Sequence, residues 1–372
     1  MGVNMEKARR VLHFQGRMGK GGAESFMMNL YRKIDKEKLQ FDFLIYDDYA
    51  NVTDYHNEIK KMGGRIFVVT NPKKNIFKYL KQVNALLRSE KFDIAHNEVY
   101  FGGGINLYAA KRNGIKQRIA HSHATSDGKS NNLIMKVLKW FLHKLLMANA
   151  TDFLAVSKEA GDSLFGSHTY RIIHNGIDMD KYKTNEEVRN SKRAELGIAP
   201  TSLVIGNIGR LEKQKNQKYL LNIFFLLLRS HEDARLLIVG SGSLKNELIE
   251  KIENLGLGDK VLLLDERDDI PELFQAMDVF CMTSLYEGLP MVGLEAQASQ
   301  KKLVLSDTIS PDIKLTDNVT FVSLDENYQT WIDNLLRKPY TNEITAELKQ
   351  YDVSYTLKQM MSIYLESEKH YV

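Results

Sequence analysis

Short apolar runs rich in β-branched residues alternate along this chain with segments of helix length. In the first half the runs predict strands at residues 11–15, 41–46, 65–69, 92–96, 118–122, 152–156 and 171–174. In the second half they predict strands at 203–208, 235–239, 260–264, 279–283 and 303–306. Near-continuous apolar strands spaced by helices imply βαβ units, hence parallel sheets covered on both faces. The pattern runs twice. Between the two runs lies a charged stretch, 178–200, with a short helical pattern at 186–196 and then Gly197 and Pro200. It reads as the connection between two domains, as a chain of 372 residues suggests. The expected architecture is α/β: two doubly wound, Rossmann-like domains facing each other across a cleft. The first spans 1–178 and the second 179–352. A closing helix over 353–372, apolar at Leu357, Met360, Met361, Tyr364 and Leu365, is expected to return to the first domain.

Composition narrows the class. Apolar residues make up 43% and charged residues 26%, a soluble globular balance. Cys281 is the single cysteine, so no disulfide can form within the chain. The N-terminal stretch is polar and basic and does not read as a secretory leader. The longest apolar run, 219–228, is about half of a membrane span and reads as a buried helix. The expected location is the cytoplasm, with peripheral attachment to the inner face of the cell membrane. Charge is uneven. Residues 1–180 carry 28 Lys and Arg against 18 Asp and Glu, and the remainder carries 23 against 29. A basic first half suggests an anionic partner. No nucleic-acid recognition motif accompanies it, so nucleic acid is not expected.

Ligands of doubly wound sheets sit beyond the carboxyl ends of the strands, and four stretches there carry chemistry. Gly19-Lys20-Gly21-Gly22-Ala23-Glu24 lies between the first strand and a helix, where glycines let backbone amides approach a phosphate. His121-Ser122-His123 ends the strand at 118–122, and period-2 alternation puts both histidines on one face. No Asp, Glu or Cys accompanies them at ligand spacing, which argues against a metal. Arg210 and Lys215 follow the strand at 203–208. Arg210 can grip phosphate bidentately, and Lys215 can act as a point charge. The stretch 284–295 places Glu287 in a loop and Glu295 inside the helix that follows. The amides between them sit at a helix N-terminus, which favours negative charge.

Together these residues resemble retaining glycosyltransferases of family GT4, which have the two-domain GT-B fold. The resemblance covers nearly the whole chain. It rests on Gly21-Gly22, Arg210 with Lys215, and the E-x7-E pair Glu287 and Glu295, with Val156-Ser157 and Asn175-Gly176-Ile177-Asp178 between them. The stretches 118–123, 295–298 and 306–309 are similar to enzymes of exopolysaccharide and capsule synthesis. Pro290 departs from the glycine common at that point and removes an amide.

The resemblance implies roles. Arg210 and Lys215 would hold the donor diphosphate, with Gly21 and Gly22 approaching it. Gly288, Leu289, Met291 and Val292 would line the donor pocket. Glu295 would bind ribose hydroxyls, Glu287 the sugar hydroxyls, and His123 the sugar from the other domain. The base would lie near Arg267. The donor would be a nucleotide sugar, with UDP the expected carrier. The acceptor would be a saccharide, lipid-linked, and no metal or other cofactor would be needed. The rivals are an epimerase of the same fold, a phosphorylase and a binding protein without activity. Finally, 133–148 is helical by period. Ile134, Val137, Leu138, Phe141, Leu142 and Leu145 form an expected core face. Lys136, Lys139, Trp140 and Lys144 form a face suited to an anionic membrane surface.

Overall fold

The computed structural model describes residues 7–19, 21–124, 133–340 and 343–366. The chain divides into two compact units: 1–176 with 353–372, and 177–352. In unit 1 the strands are β1 (Arg9–Gly16), β2 (Leu39–Tyr46), β3 (Ile66–Val69), β4 (Ile94–Asn97), β5 (Gln117–Ser122), β6 (Asp152–Ala155) and β7 (Arg171–Ile172). They are parallel throughout, in the order β3-β2-β1-β4-β5-β6-β7. The connecting helices are α1 (Gly22–Lys33), α2 (His56–Lys61), α3 (Ile76–Ser89), α4 (Gly103–Arg112), α5 (Leu133–Asn149) and α6 (Lys158–Phe165).

Unit 2 repeats the scheme with α7 (Glu186–Glu195), β8 (Val204–Ile208), α8 (Gln217–Leu227), β9 (Arg235–Val239), α9 (Lys245–Asn254), β10 (Val261–Leu264) and α10 (Ile270–Ala276). It continues with β11 (Val279–Met282), α11 (Met291–Ala298), β12 (Lys302–Ser306), β13 (Val319–Val322), α12 (Tyr328–Leu336) and α13 (Ala346–Lys349). Its sheet runs β10-β9-β8-β11-β12-β13, again parallel. The chain's last helix, α14 (Val353–Glu366), belongs to unit 1. Both units are doubly wound α/β folds.

Alternation along each strand builds two apolar layers per sheet. In β1, Val11 packs with Phe26, Met27 and Phe41 on the face covered by α1 and α14, where Met360, Ile363 and Tyr364 add to the core. Leu12 and Phe14 pack on the opposite face, with Val83, Leu107, Leu146 and Leu164 of α3 to α6. Side-chain caps start several helices. Asn75 accepts from the Lys78 amide at α3, and Ser157 accepts from the Ala160 amide at α6.

One strand differs from the sequence reading. Strand β13 is absent from it, because four residues behind the polar Asp317-Asn318 give too short an apolar signal. The charged stretch 178–200, read as the connection, packs within unit 2. Arg193 of α7 is buried and donates to Asp278 at 2.8 Å and to the Ala276 carbonyl at 3.0 Å, while Arg189 reaches Asp278 at 2.6 Å. One carboxylate thus ties two guanidinium groups against α10 and β11.

Candidate functional site

In unit 2, β8 and β11 are neighbours, and the loops leaving their carboxyl ends are stitched together. The Leu285 amide donates to the Gln214 carbonyl at 2.7 Å, and Gln214 Nε2 donates to the Tyr286 carbonyl at 2.9 Å. Thr283 Oγ1 donates to the Asn216 carbonyl at 2.9 Å. From below, Ser306 and Thr308 both donate to the Ser284 carbonyl, at 2.6 and 2.7 Å. This frame brings Lys215 and Glu287 together, with Nζ and Oε1 2.5 Å apart and both side chains mostly covered. Ser284 Oγ donates to the same carboxylate at 3.1 Å. Arg210 stands exposed at the start of the loop.

Two glycines that sequence reading passed over make this frame possible. Gly240 (φ +146°) and Gly242 (φ +159°) follow β9. A Cβ on Gly240 would lie 2.1 Å from the Gly209 carbonyl oxygen, and one on Gly242 would lie 2.4 Å from that of Leu211. Only a bare backbone lets the β9 loop run against the Arg210 loop, and the Gly209 and Leu211 amides donate across the contact at 2.9 and 2.8 Å. The sequence carried a signal in Gly240-Ser241-Gly242 directly after a strand.

Gly288 is exposed and open to solvent on its Cα, and Leu289, Met291 and Val292 lead from it into α11. Pro290 sits at the helix N-cap with φ −72°, where its missing amide costs no helical hydrogen bond. Glu295, one turn into α11, is partly buried and hydrogen-bonded with Tyr182. Burial pushes its carboxyl pKa up to about 7, with Tyr182 acting in the opposite sense. Arg267 is engaged with other residues. It forms a two-pronged pair with Asp269 at 2.7 and 2.6 Å and reaches Glu195 at 3.0 Å.

In unit 1, Gly21 caps α1 and Gly22 opens it; Lys20 lies outside the described residues. Buried Glu24 anchors the loop by accepting from Arg17 Nε at 2.8 Å. The larger feature is a buried polar cluster. The rings of His121 and His123 lie 4.1 Å apart, on one face as the alternation predicts. The expectation that no acid accompanies them is wrong. Glu98, just past β4, lies between them and two further histidines. Its Oε2 is 2.7 Å from His123 Nε2 and 3.4 Å from His121 Nδ1. Its Oε1 is 2.9 Å from His13 Nδ1 and 3.4 Å from His96 Nε2. His96 Nδ1 meets the Tyr364 hydroxyl of α14 at 2.7 Å. Parallel pairing assembles the group, since His13 is registered beside His96, and β5 runs alongside β4.

Burial alone would raise the Glu98 pKa, but His96 and hydrogen bonds from His121, His123 and His13 outweigh it and hold it well below the usual range. Burial pushes His121 down to about 4 and His96 well below its ordinary value. Two sets of atoms here, His13/His96/Glu98 and Glu98/His121/His123, each lie within 4.8 Å of one another, close enough to converge on one ion.

Comparison with known proteins decides the family. Residues 20–181 match the family described as Glycosyltransferase Family 4, and residues 188–350 match Glycosyl transferases group 1. EpsF of Bacillus subtilis (strain 168) is 34% identical over 97% of this chain and 98% of its own length. The chain belongs to glycosyltransferase family 4. It falls with the glycosyltransferases of exopolysaccharide and capsule synthesis. A second relative, from Escherichia coli, is 29% identical over 72% of each chain. It is named UDP-Gal:alpha-D-GlcNAc-diphosphoundecaprenol alpha-1,3-galactosyltransferase. The fold matches that of Anabaena Alr3699/HepE in complex with UDP, with a TM-score of 0.75, 19% identity, and coverage of 96% of this chain and 100% of that one. The chain therefore has the GT-B fold, with a Rossmann-like sheet in each unit.

This glycosyltransferase also carries an unusual helix surface. In α5, Val137 is 60% exposed, Trp140 61%, Phe141 56% and Leu138 44%. The expectation that Val137, Leu138 and Phe141 face the core is thus wrong; Ile134 lies outside the described side chains. The helix is anchored through its second half. Leu146 is fully buried, and Gly104 of α4 lies against the backbone of Leu142 and Leu146. Val137, Leu138, Trp140 and Phe141 stand clear of the core. Lys136 and Lys144 are exposed beside the apolar residues, with Lys139 half-buried. Phe77, at the first turn of α3, is 83% exposed and flanked by exposed Lys78. Helices α3 and α5 pack on the same face of the sheet, and both begin at its carboxyl edge. Among the described residues, no helix is long and apolar enough to cross a membrane.

Proposed function

We propose that this enzyme moves a hexose or hexose derivative from a UDP-sugar to a lipid-linked saccharide, with retention of anomeric configuration. The observation that carries the reading is the cradle of unit 2. It holds Arg210, Lys215 and Glu287 on loops fastened to each other at the carboxyl edge of one sheet. The names of the Escherichia coli relative and of the Anabaena complex support UDP and a diphosphate-linked lipid acceptor.

Breaking the bond between the anomeric carbon and the diphosphate leaves negative charge on the nucleotide and positive charge on the sugar ring. Arg210 and Lys215 act where the negative charge grows, which is usually the largest catalytic contribution. Lys215 exchanges its contact with Glu287 for the diphosphate, and Glu287 then accepts hydroxyls of the donor sugar through charge-assisted hydrogen bonds. Glu295 accepts the ribose hydroxyls. The amides of Leu289, Met291 and Val292, with Gly288, line the donor, and the backbone near Arg267 meets the base. In unit 1, Gly21 and Gly22 are assigned to phosphate and His123 to a hydroxyl of the donor sugar. With two cations at the leaving group, the reaction proceeds without metal.

The α5 surface fits an anionic membrane, where the acceptor lipid resides. Exposed Val137, Leu138, Trp140, Phe141 and Phe77 enter the headgroup boundary, and Lys136, Lys139 and Lys144 meet lipid phosphates. This attachment places the enzyme peripherally on the cytoplasmic leaflet.

The test is incubation with a panel of nucleotide sugars and a synthetic lipid-diphosphate monosaccharide, with the product read by mass and by its anomeric proton coupling. One donor should yield a product of unchanged anomeric configuration. An inverted product would contradict the retaining reading, and no product from any donor would contradict the transferase reading of these residues.

A further inference from the structure

The cluster around Glu98 is not accounted for by the donor cradle. A carboxylate offers about four acceptor sites, and four imidazole nitrogens face this one. A neutral imidazole has one N–H to give. At 2.7 Å His123 spends its own through Nε2, and at 2.9 Å His13 spends its own through Nδ1. His96 takes the remaining place: its Nε2 accepts from His121 Nδ1–H at 3.2 Å, which also faces Glu98, and its own Nδ1–H goes to the Tyr364 hydroxyl at 2.7 Å. The Nε2 atoms of His13 and His121 are buried without a hydrogen-bond partner. As bare lone pairs among Phe41, Phe43 and Phe26 they cost less than unpaired N–H groups would. One proton arrangement therefore gives each imidazole N–H an acceptor, with Glu98 as the common one.

We propose that Glu98 is a positioning residue for glycosyl transfer: it takes the Nε2–H of His123, fixes that ring in one tautomer and plane, and leaves Nδ1 as the acceptor for a hydroxyl of the donor sugar. The proposal rests on the role given to His123 above. The surroundings make the arrangement stiff. Phe26 of α1 stacks edge-on against both His121 and His123, at ring distances of 5.1 and 5.5 Å. Tyr364 of α14 locks His96 from below. An orienting carboxylate behind a histidine acts in the same way in hydrolytic triads, where its loss leaves the ring in the wrong tautomer.

The test uses the full chain labelled with ¹⁵N-histidine, with Glu98→Ala and Glu98→Gln beside the wild type. In the wild type, His123 should show the Nε2–H tautomer and His13 the Nδ1–H tautomer. Glutamine has one acceptor where glutamate has two, so in Glu98→Gln one of those two rings must switch. Glu98→Ala should lower kcat by about 100-fold with KM for the donor changed less than about threefold. It should cost nothing further in a His123→Ala background. Should Glu98→Ala fail to fold, the glutamine variant still decides. Unchanged tautomers for both rings, or full kcat in folded Glu98→Ala, would overturn the proposal. Stoichiometric zinc or iron in the purified wild type, lost in Glu98→Gln, would overturn it too, because the cluster would then be holding an ion. The tautomers are read without any substrate. If no donor turns over in the wild type, the functional reading fails while the assignment of Glu98 is still decided.

Discussion

The two units place charge at the carboxyl edges of similar sheets in opposite ways. In unit 1 the polar groups are buried around one carboxylate that faces four imidazoles, with a tyrosine behind them. In unit 2 the charges are less deeply buried. Lys215 and Glu287 face each other at 2.5 Å, and Arg210 is exposed. The first arrangement is finished before any substrate arrives. The second is a pair of opposite charges, each suited to a different part of a nucleotide sugar, which must part when one binds. The contrast suggests a division of labour: unit 1 supplies geometry and unit 2 supplies charge.

The largest expected effect follows from that division. Arg210→Ala should lower kcat by about 1,000-fold, because it removes charge at the leaving diphosphate. His123→Ala should cost about 100-fold, because it removes an orienting contact. Steady-state kinetics on the preferred donor checks the ranking, and equal losses would blur the distinction. Next, Glu287→Gln should separate binding from chemistry. Transfer should fall by about 100-fold, while affinity for free UDP should hold or rise, since Lys215 loses its competing partner. Calorimetry with UDP reads this directly, and a large loss of UDP affinity would mean that Glu287 organises the cradle rather than the sugar.

A smaller effect tests the surface of unit 1. Trp140→Ser with Phe141→Ser should weaken sedimentation with phosphatidylglycerol vesicles by about tenfold. Turnover of a water-soluble acceptor should be unaffected. Equal binding to neutral phosphatidylcholine vesicles would remove the role of the lysines.

The smallest effect is on stability, and it sharpens the comparison because the two units respond to pH with opposite sign. Glu295 has its pKa raised to about 7, so the folded state holds a proton that the unfolded chain has released. Its contribution therefore falls as pH rises from about 4.5 to 7, by at most about 3 kcal/mol. His121 is lowered to about 4, so the unfolded chain takes up a proton first, and stability falls as pH drops from about 6.5 to 4. Glu98, also lowered, adds to the acid loss. Thermal melts should show Glu295→Gln gaining on the wild type between pH 5 and pH 8. No change in that difference would contradict the raised pKa.

Much of this was legible in the chain. The spacing of apolar runs predicted twelve of the thirteen strands among the described residues, and the order of Arg210, Lys215, Glu287 and Glu295 pointed to the family. Contacts made by parallel register were not legible. Glu98 stands 25 positions from His123 and 85 from His13, and only the neighbouring of β1, β4 and β5 joins them. Helix α5 shows another limit. Periodicity finds an apolar stripe but not what covers it: in α5, Gly104 of α4 lies against Leu142 and Leu146, while Val137, Leu138 and Phe141 are exposed. The side-chain ties of Arg267 to Asp269 and Glu195 were likewise invisible in a loop that reads only as charged.

The central claim is that a nucleotide sugar is cleaved by cations of unit 2 acting on its diphosphate. The most direct measurement is nucleotide release from UDP-sugars with a chelator present, comparing the wild type with Arg210→Ala. The account predicts release from one donor by the wild type and almost none by the variant. Release that depends on added metal, or that survives intact in Arg210→Ala, would contradict it.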